Sequence, residues 1–193
     1  MAIPTLPTFS AGEILTSDVM NDVSTLGNYQ GLFYIGSTTI TSATSAVLDG
    51  CFSSDYRDYL LTVDVTGGTG NLELAMQFRV GGVAAATNYN YANFGTQPNG
   101  TVSNGTTGAA ATSAALTFIP ATQQTSFSYY IGQPNRTVFT TFSGDWLYDD
   151  GGAQIMRRTI GRHKTATAYT GVQVFTSAAW TGKITVYGYR MSI

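Results

Sequence analysis

The run Leu72-Glu73-Leu74-Ala75-Met76-Gln77-Phe78-Arg79-Val80 constrains this chain more than any other segment. Leu72, Leu74, Met76, Phe78 and Val80 take every second position, with Glu73, Gln77 and Arg79 between them. In an extended backbone successive side chains point to opposite faces, so this run is a strand with one apolar side. An amphipathic helix would instead repeat its apolar residues at three and four. The same period runs from Tyr56 to Thr66, with Tyr59, Leu61, Val63 and Val65 on the inner face. Between the two lies Gly67-Gly68-Thr69-Gly70-Asn71, which has the glycines expected of a hairpin loop.

Further strands are expected at 31–36, 45–49, 114–119, 125–131, 136–143, 153–163, 170–176 and 182–190, punctuated by Gly, Asn and Thr. Many short strands without a second helical pattern give an all-β fold, a jelly-roll-like antiparallel β-sandwich. The interval 81–115 is too long for a structureless loop in a compact domain. Part of it is expected to make a β excursion, with Asn99-Gly100 and Asn104-Gly105 as tight turns.

The segment ahead of these strands obeys another pattern. Pro4 and Pro7 favour an extended start. Thr16 suits an N-cap, with Ser17 and Asp18 in the first turn, where negative charge meets the helix dipole. Val19, Met20, Val23 and Leu26 then form one apolar stripe, and Gly27 can close the helix. A start at Ser10, paired with Glu13 as a capping box, is the alternative. So short a helix is marginal alone in water, and its stripe is expected to be buried on a partner or on the β domain. Two units follow: an arm over 1–29 and a β-sandwich over 30–193.

The run from Phe9 to Val23, Phe-Ser-Ala-Gly-Glu-Ile-Leu-Thr-Ser-Asp-Val-Met-Asn-Asp-Val, resembles the N-terminal arm of many bacteriophage head and tail structural proteins. Met76 to Gly82 followed by Thr87-Asn88-Tyr89-Asn90-Tyr91 is similar to a segment of their β-sandwich domains, with Val80-Gly81 where an Asn-Gly would be expected. Gly182 to Arg190 resembles their closing strand. The resemblance implies a virion protein assembled in the host cytoplasm. Its arm would dock on other capsid or tail proteins through Ile14, Leu15, Val19, Met20, Val23 and Leu26, and its sandwich would pack with copies of itself, as a homotrimer. The start of the chain has no basic region followed by an apolar one, so no signal peptide is expected. No run approaches the roughly 18 apolar residues of a membrane span, so membrane insertion is not expected either.

Composition agrees with assembly. Only 10% of residues are charged, against about 25% in an ordinary soluble domain, while the chain has 30 Thr and 15 Ser beside 22 Gly. Hydroxyls and not ions solubilise this surface, which suits faces covered by neighbours. With a net charge of −2, the overall field does not attract nucleic acid. Acids concentrate before residue 76 and bases after it, with Arg157, Arg158, Arg162, His163 and Lys164 crowded together. On a strand Arg158, Ile160 and Arg162 share a face while Arg157 and Thr159 take the other. The basic cluster is therefore no nucleic-acid stripe, and pairing with the acidic arm of another subunit is expected.

Catalytic parts are scarce. His163 is the only histidine, without an apparent nucleophile partner, and no G-x-S-x-G elbow occurs. Cys51 is alone, which rules out an internal disulfide and a cysteine metal cage. Zinc ligands and a P-loop are also missing, so no enzyme activity, cofactor or metal is expected. Two carboxylates suffice for a glycosidase, which directs attention to the expected loop from Gly144 to Gly152. It combines Asp145, Asp149 and Asp150 with Trp146 and Tyr148. Aromatic faces stack on sugars and carboxylates bind their hydroxyls, so Trp146, Tyr148, Asp145 and Asp149 are the candidate contacts for a host-surface glycan. Adjacent Asp149 and Asp150 fall short of a calcium cage. The same residues equally make an ordinary hairpin, with Trp146 and Leu147 in the core and Asp-Asp-Gly-Gly as its turn.

Overall fold

The computed structural model describes residues 31–96, 102–121, 123–150 and 153–190. The expected arm, with Ile14, Leu15, Val19, Met20, Val23 and Leu26, lies outside the described residues, as do the turns at Asn99-Gly100 and Gly151-Gly152. The rest forms strands: β1 (Gly31–Leu48), β2 (Asp58–Gly68), β3 (Leu72–Val80), β4 (Val83–Ala84), β5 (Tyr89–Thr96), β6 (Val102–Ala111), β7 (Ala114–Ile119), β8 (Thr125–Gly132), β9 (Thr140–Asp150), β10 (Ala153–His163) and β11 (Gly171–Arg190). The fold is all-β, as the alternation predicts.

Every ladder is antiparallel, and all strands join one sheet in the order β4-β3-β11-β2-β8-β9-β10-β5-β6. β1 pairs with the other edge of β11, and β7 with the other edge of β3. The long strand β11 organises this order. Along one edge it carries β1 from Gly31↔Arg190 to Leu48↔Val172. Along the other it carries β3 at Gly171–Phe175 and β2 at Trp180–Tyr189.

β2 and β3 therefore lie end to end on one edge of β11 and do not pair with each other. The expected hairpin at Gly67–Asn71 is instead a link that stays on β11, where Thr69 N donates to Ala179 O at 3.0 Å. The expected separate strands 31–36 and 45–49 are one strand, and so are 170–176 and 182–190. The reason is local: Ser37 to Thr44 is polar but has no proline or glycine to break it, and threonine is at home in strands. The β1–β11 ladder shifts register between Tyr34/Gly36 and Ile40/Ala43, with one extra residue on β1 each time, and between Ala43/Ser45, where Thr176 to Ala179 of β11 stand opposite Thr44; such extra residues kink and twist a strand.

The sheet curls over its own core. Tyr129 Oη donates to Leu116 O at 2.5 Å, Thr159 Oγ1 donates to the same carbonyl at 3.3 Å, and Tyr89 Oη accepts from Phe78 N at 2.7 Å. β3 and β7 thus face β8, β10 and β5 across a core in which Tyr59, Leu61, Leu74, Met76, Phe78 and Tyr129 are fully buried. The predicted inner faces hold except at Val80, which is exposed where β3 ends at Gly81.

The 81–115 interval does contain the expected excursion, as β5 paired with β6. Asn104 sits within β6 opposite Phe94, and the shift between Ala92 and Phe94 absorbs the extra residue as a bulge, so Asn104-Gly105 is not a turn. The strand expected at 136–143 begins at Thr140 and runs on to Asp150, absorbing most of the expected Gly144–Gly152 loop.

Phe78→Ala is expected to cost about 3–5 kcal/mol, as for other buried aromatics. Val80→Ala, on the same run but exposed, should stay within about 0.5 kcal/mol. Urea unfolding of both variants checks the contrast.

Candidate functional site

β9 decides the fate of the expected sugar contacts. Its alternation sends Phe142, Trp146 and Tyr148 inward and Thr141, Asp145, Leu147 and Asp149 outward. Trp146 and Tyr148 retain 5% and 7% exposure and stack on each other at 5.3 Å. Trp146 Nε1 donates to Thr159 Oγ1 at 3.2 Å, and the Arg157 guanidinium lies 5.6 Å from the Trp146 ring and 5.8 Å from Tyr148. The two rings and the two carboxylates are therefore on opposite sides of one strand. Both rings pack into the core, and the edge of Trp146 also borders the depression beside Asp145, as Tyr148 borders one beside Asp149. Leu147, expected in the core beside Trp146, is exposed.

Ladder registers map the outward face row by row. Ser128, Asp145, Arg158 and Phe94 lie side by side across β8, β9, β10 and β5. One step along are Leu147, Met156 and Thr96; on the other side come Tyr130, Ser143, Ile160 and Ala92, then Thr141, Arg162 and Asn90. Arg158 Nε stands 3.8 Å from Asp145 Oδ1, with the two side chains 52% and 69% exposed. An ion pair this open to water is worth little by itself. Around it Phe94, Tyr130, Leu147, Met156 and Ile160 are all exposed, Met156 at 65%.

Two shallow depressions mark the face. One, of about 550 Å³, is bordered by Phe94, Asp145, Leu147, Met156 and Arg158. The other, of about 680 Å³, is bordered by Ala92, Tyr130, Ser143, Ile160 and Arg162. Sequence reasoning missed this face because alternation assigns the outer positions to solvent. A signal was present: Leu147-Tyr148 and Ile155-Met156 are apolar at both parities, as in a strand covered on two sides.

His163 lies inside, 1% exposed. Tyr169 Oη is 2.7 Å from its Nδ1, and the Thr87 carbonyl is 2.7 Å from its Nε2. The carbonyl can only accept, so the neutral imidazole with its proton on Nε2 donates there and accepts the Tyr169 hydroxyl. Tyr89 and Tyr169 meet the ring edge to face at 4.4 and 5.2 Å. Burial lowers its pKa, outweighing the bond to Thr87. Cys51 is likewise engaged: its thiol donates to Leu48 O at 3.2 Å, and burial pushes its pKa up to about 12. Such a thiol is protonated at neutral pH and a poor nucleophile.

Among the described residues no cluster of three His, Cys, Asp or Glu is arranged for a metal, and no helix is long and apolar enough to cross a membrane. No protein-family model matches the chain, and no curated protein sequence matches it.

Two outcomes follow. Trp146→Ala should lose about 3–5 kcal/mol of stability, read by thermal or urea unfolding. For His163, the unfolded chain binds its proton near the ordinary value of about 6.5, and the folded chain only at lower pH. Its contribution is full above that value and is lost as pH falls from there through the folded-state value. Wild type should weaken as pH falls below about 6.5, and His163→Gln should show a flatter profile there.

Proposed function

We propose that this chain is a non-enzymatic structural component of a bacteriophage particle, a tail appendage or capsid decoration. Residues 1–29 dock on neighbouring virion proteins through Ile14, Leu15, Val19, Met20, Val23 and Leu26. Residues 30–193, as a jelly-roll-like β-sandwich, face outward and associate with further copies. The observation that carries this reading is the exposed apolar face of β8, β9, β10 and β5, on a domain whose His163 and Cys51 are both engaged in its packing. A large apolar patch on a soluble domain marks an interaction surface. The low charge and the arm-like run from Phe9 to Val23 add support.

A second reading, recognition of a host-surface glycan, draws on the depression beside Asp145. Its contacts would be Asp145, Phe94 and Arg158, with Trp146 at the border of the depression.

Deletion of residues 1–27 is expected to abolish incorporation into particles while leaving the β domain folded. Cryo-EM of particles carrying the intact chain should place it at a symmetric capsid or tail site. Unchanged incorporation of the truncated chain would contradict the docking role, and adsorption lost on Asp145→Ala without loss of folding would favour the glycan reading.

A further inference from the structure

We propose that the outward face of β8, β9, β10 and β5 binds the same face of a second copy of this chain, about a two-fold axis running along the strands between β9 and β10. When two identical sheets meet face to face, a two-fold relating them lies in the contact plane, and the same patch serves both copies. An axis along the strands leaves each cross-strand row at its own height and exchanges its two ends. β9 of one copy then covers β10 of the other, and β8 covers β5.

The registers make the consequences explicit. Asp145 comes over the second copy's Arg158, and Leu147 over its Met156. Ser143 meets Ile160, Thr141 meets Arg162, Ser128 meets Phe94 and Tyr130 meets Ala92. One pairing joins opposite charges, one joins two apolar chains, and the others set a large side chain against a small one. That alternation is what interdigitation of two sheet faces roughly 10 Å apart requires. The depression bordered by Ala92, Ser143 and Ile160 lies where the second copy's Tyr130 and Ile160 would seat.

Charge also fixes where the axis falls. An axis along β9 would put Asp145 on Asp145, and one along β10 would put Arg158 on Arg158; like charges brought together in an interface are strongly unfavourable. Only the axis between these strands turns the exposed Asp145–Arg158 pair into four alternating charges. A self-complementary patch closes at two copies, whereas the homotrimer expected from the sequence needs two different patches per subunit. The pairing goes beyond the virion reading and does not need it, because it forms between purified chains with no particle present.

Sedimentation equilibrium of the purified full chain tests it, with Asp145→Arg and Arg158→Asp as probes. Wild type is expected to be a concentration-dependent dimer. Each variant alone places like charges across the axis and should weaken the dimer about tenfold or more. An equimolar mixture of the two variants should restore it, since every cross-axis pair then joins an arginine to an aspartate. A role of the pair within one chain cannot produce that rescue. Should either variant fold poorly, Ile160→Glu supplies the same weakening without altering the pair. A wild-type monomer or trimer, single variants that dimerise like wild type, or a mixture no tighter than its components would each overturn the proposal.

Discussion

The structure depends on the pairing of β11 along both of its edges. Because β1 follows it from end to end while β3 and β2 divide its other edge, β11 ties both parts of the curled sheet together. Val172 and Val174 are buried where it pairs with β3, and Ile184 and Val186 where it pairs with β2. The passage between them runs through Ser177-Ala178-Ala179, where the ladder with β1 shifts register. Trp180 is fully buried at the end of that passage, and a side chain at Gly182 would run into the Asp64 carbonyl oxygen of β2 and come within 2.9 Å of the Trp180 ring. The glycine therefore keeps its place by making room.

With β11 holding the curl, several polar groups of the interior bond across it. The Leu116 carbonyl accepts from Tyr129 and Thr159, Tyr89 accepts from the Phe78 amide, and His163 links Thr87 to Tyr169. Buried hydroxyls with such partners avoid the cost of desolvation without compensation and favour one layer arrangement over its neighbours. His163 and Cys51 are thus engaged in packing, while exposed apolar and charged residues stand on the outer side of β8, β9, β10 and β5. Recognition on such a surface would depend on shape and charge spread over several strands.

Strand identity was legible wherever one face is apolar and the other polar. Tyr59, Leu61 and Val63 in β2, and Leu72 to Phe78 in β3, follow their period without exception. Strand partners were not legible, because pairing is decided by residues distant in the chain: nothing between Gly67 and Asn71 reveals that β11 occupies the place a hairpin partner would take. Continuity across Ser37 to Thr44 was hidden for another reason, since hydroxyl residues suit both loops and exposed strands. At the candidate site the outward carboxylates and the largely buried rings beside them were read as one loop, although they lie on a strand. Four neighbouring residues of a strand cannot all face one way, and the loop expected around Trp146 obscured that constraint.

Native-state hydrogen exchange along β11 tests most directly whether this strand makes the curled sheet a single body. The amides of Val174 and Ile184 should exchange through one common unfolding event, with equal opening free energies that match global unfolding. If the Gly171–Phe175 stretch opened at markedly lower free energy than the Gly182–Gly188 stretch, the passage at Ser177 would be a seam between two units, and the account of β11 as the common support of both layers would be wrong.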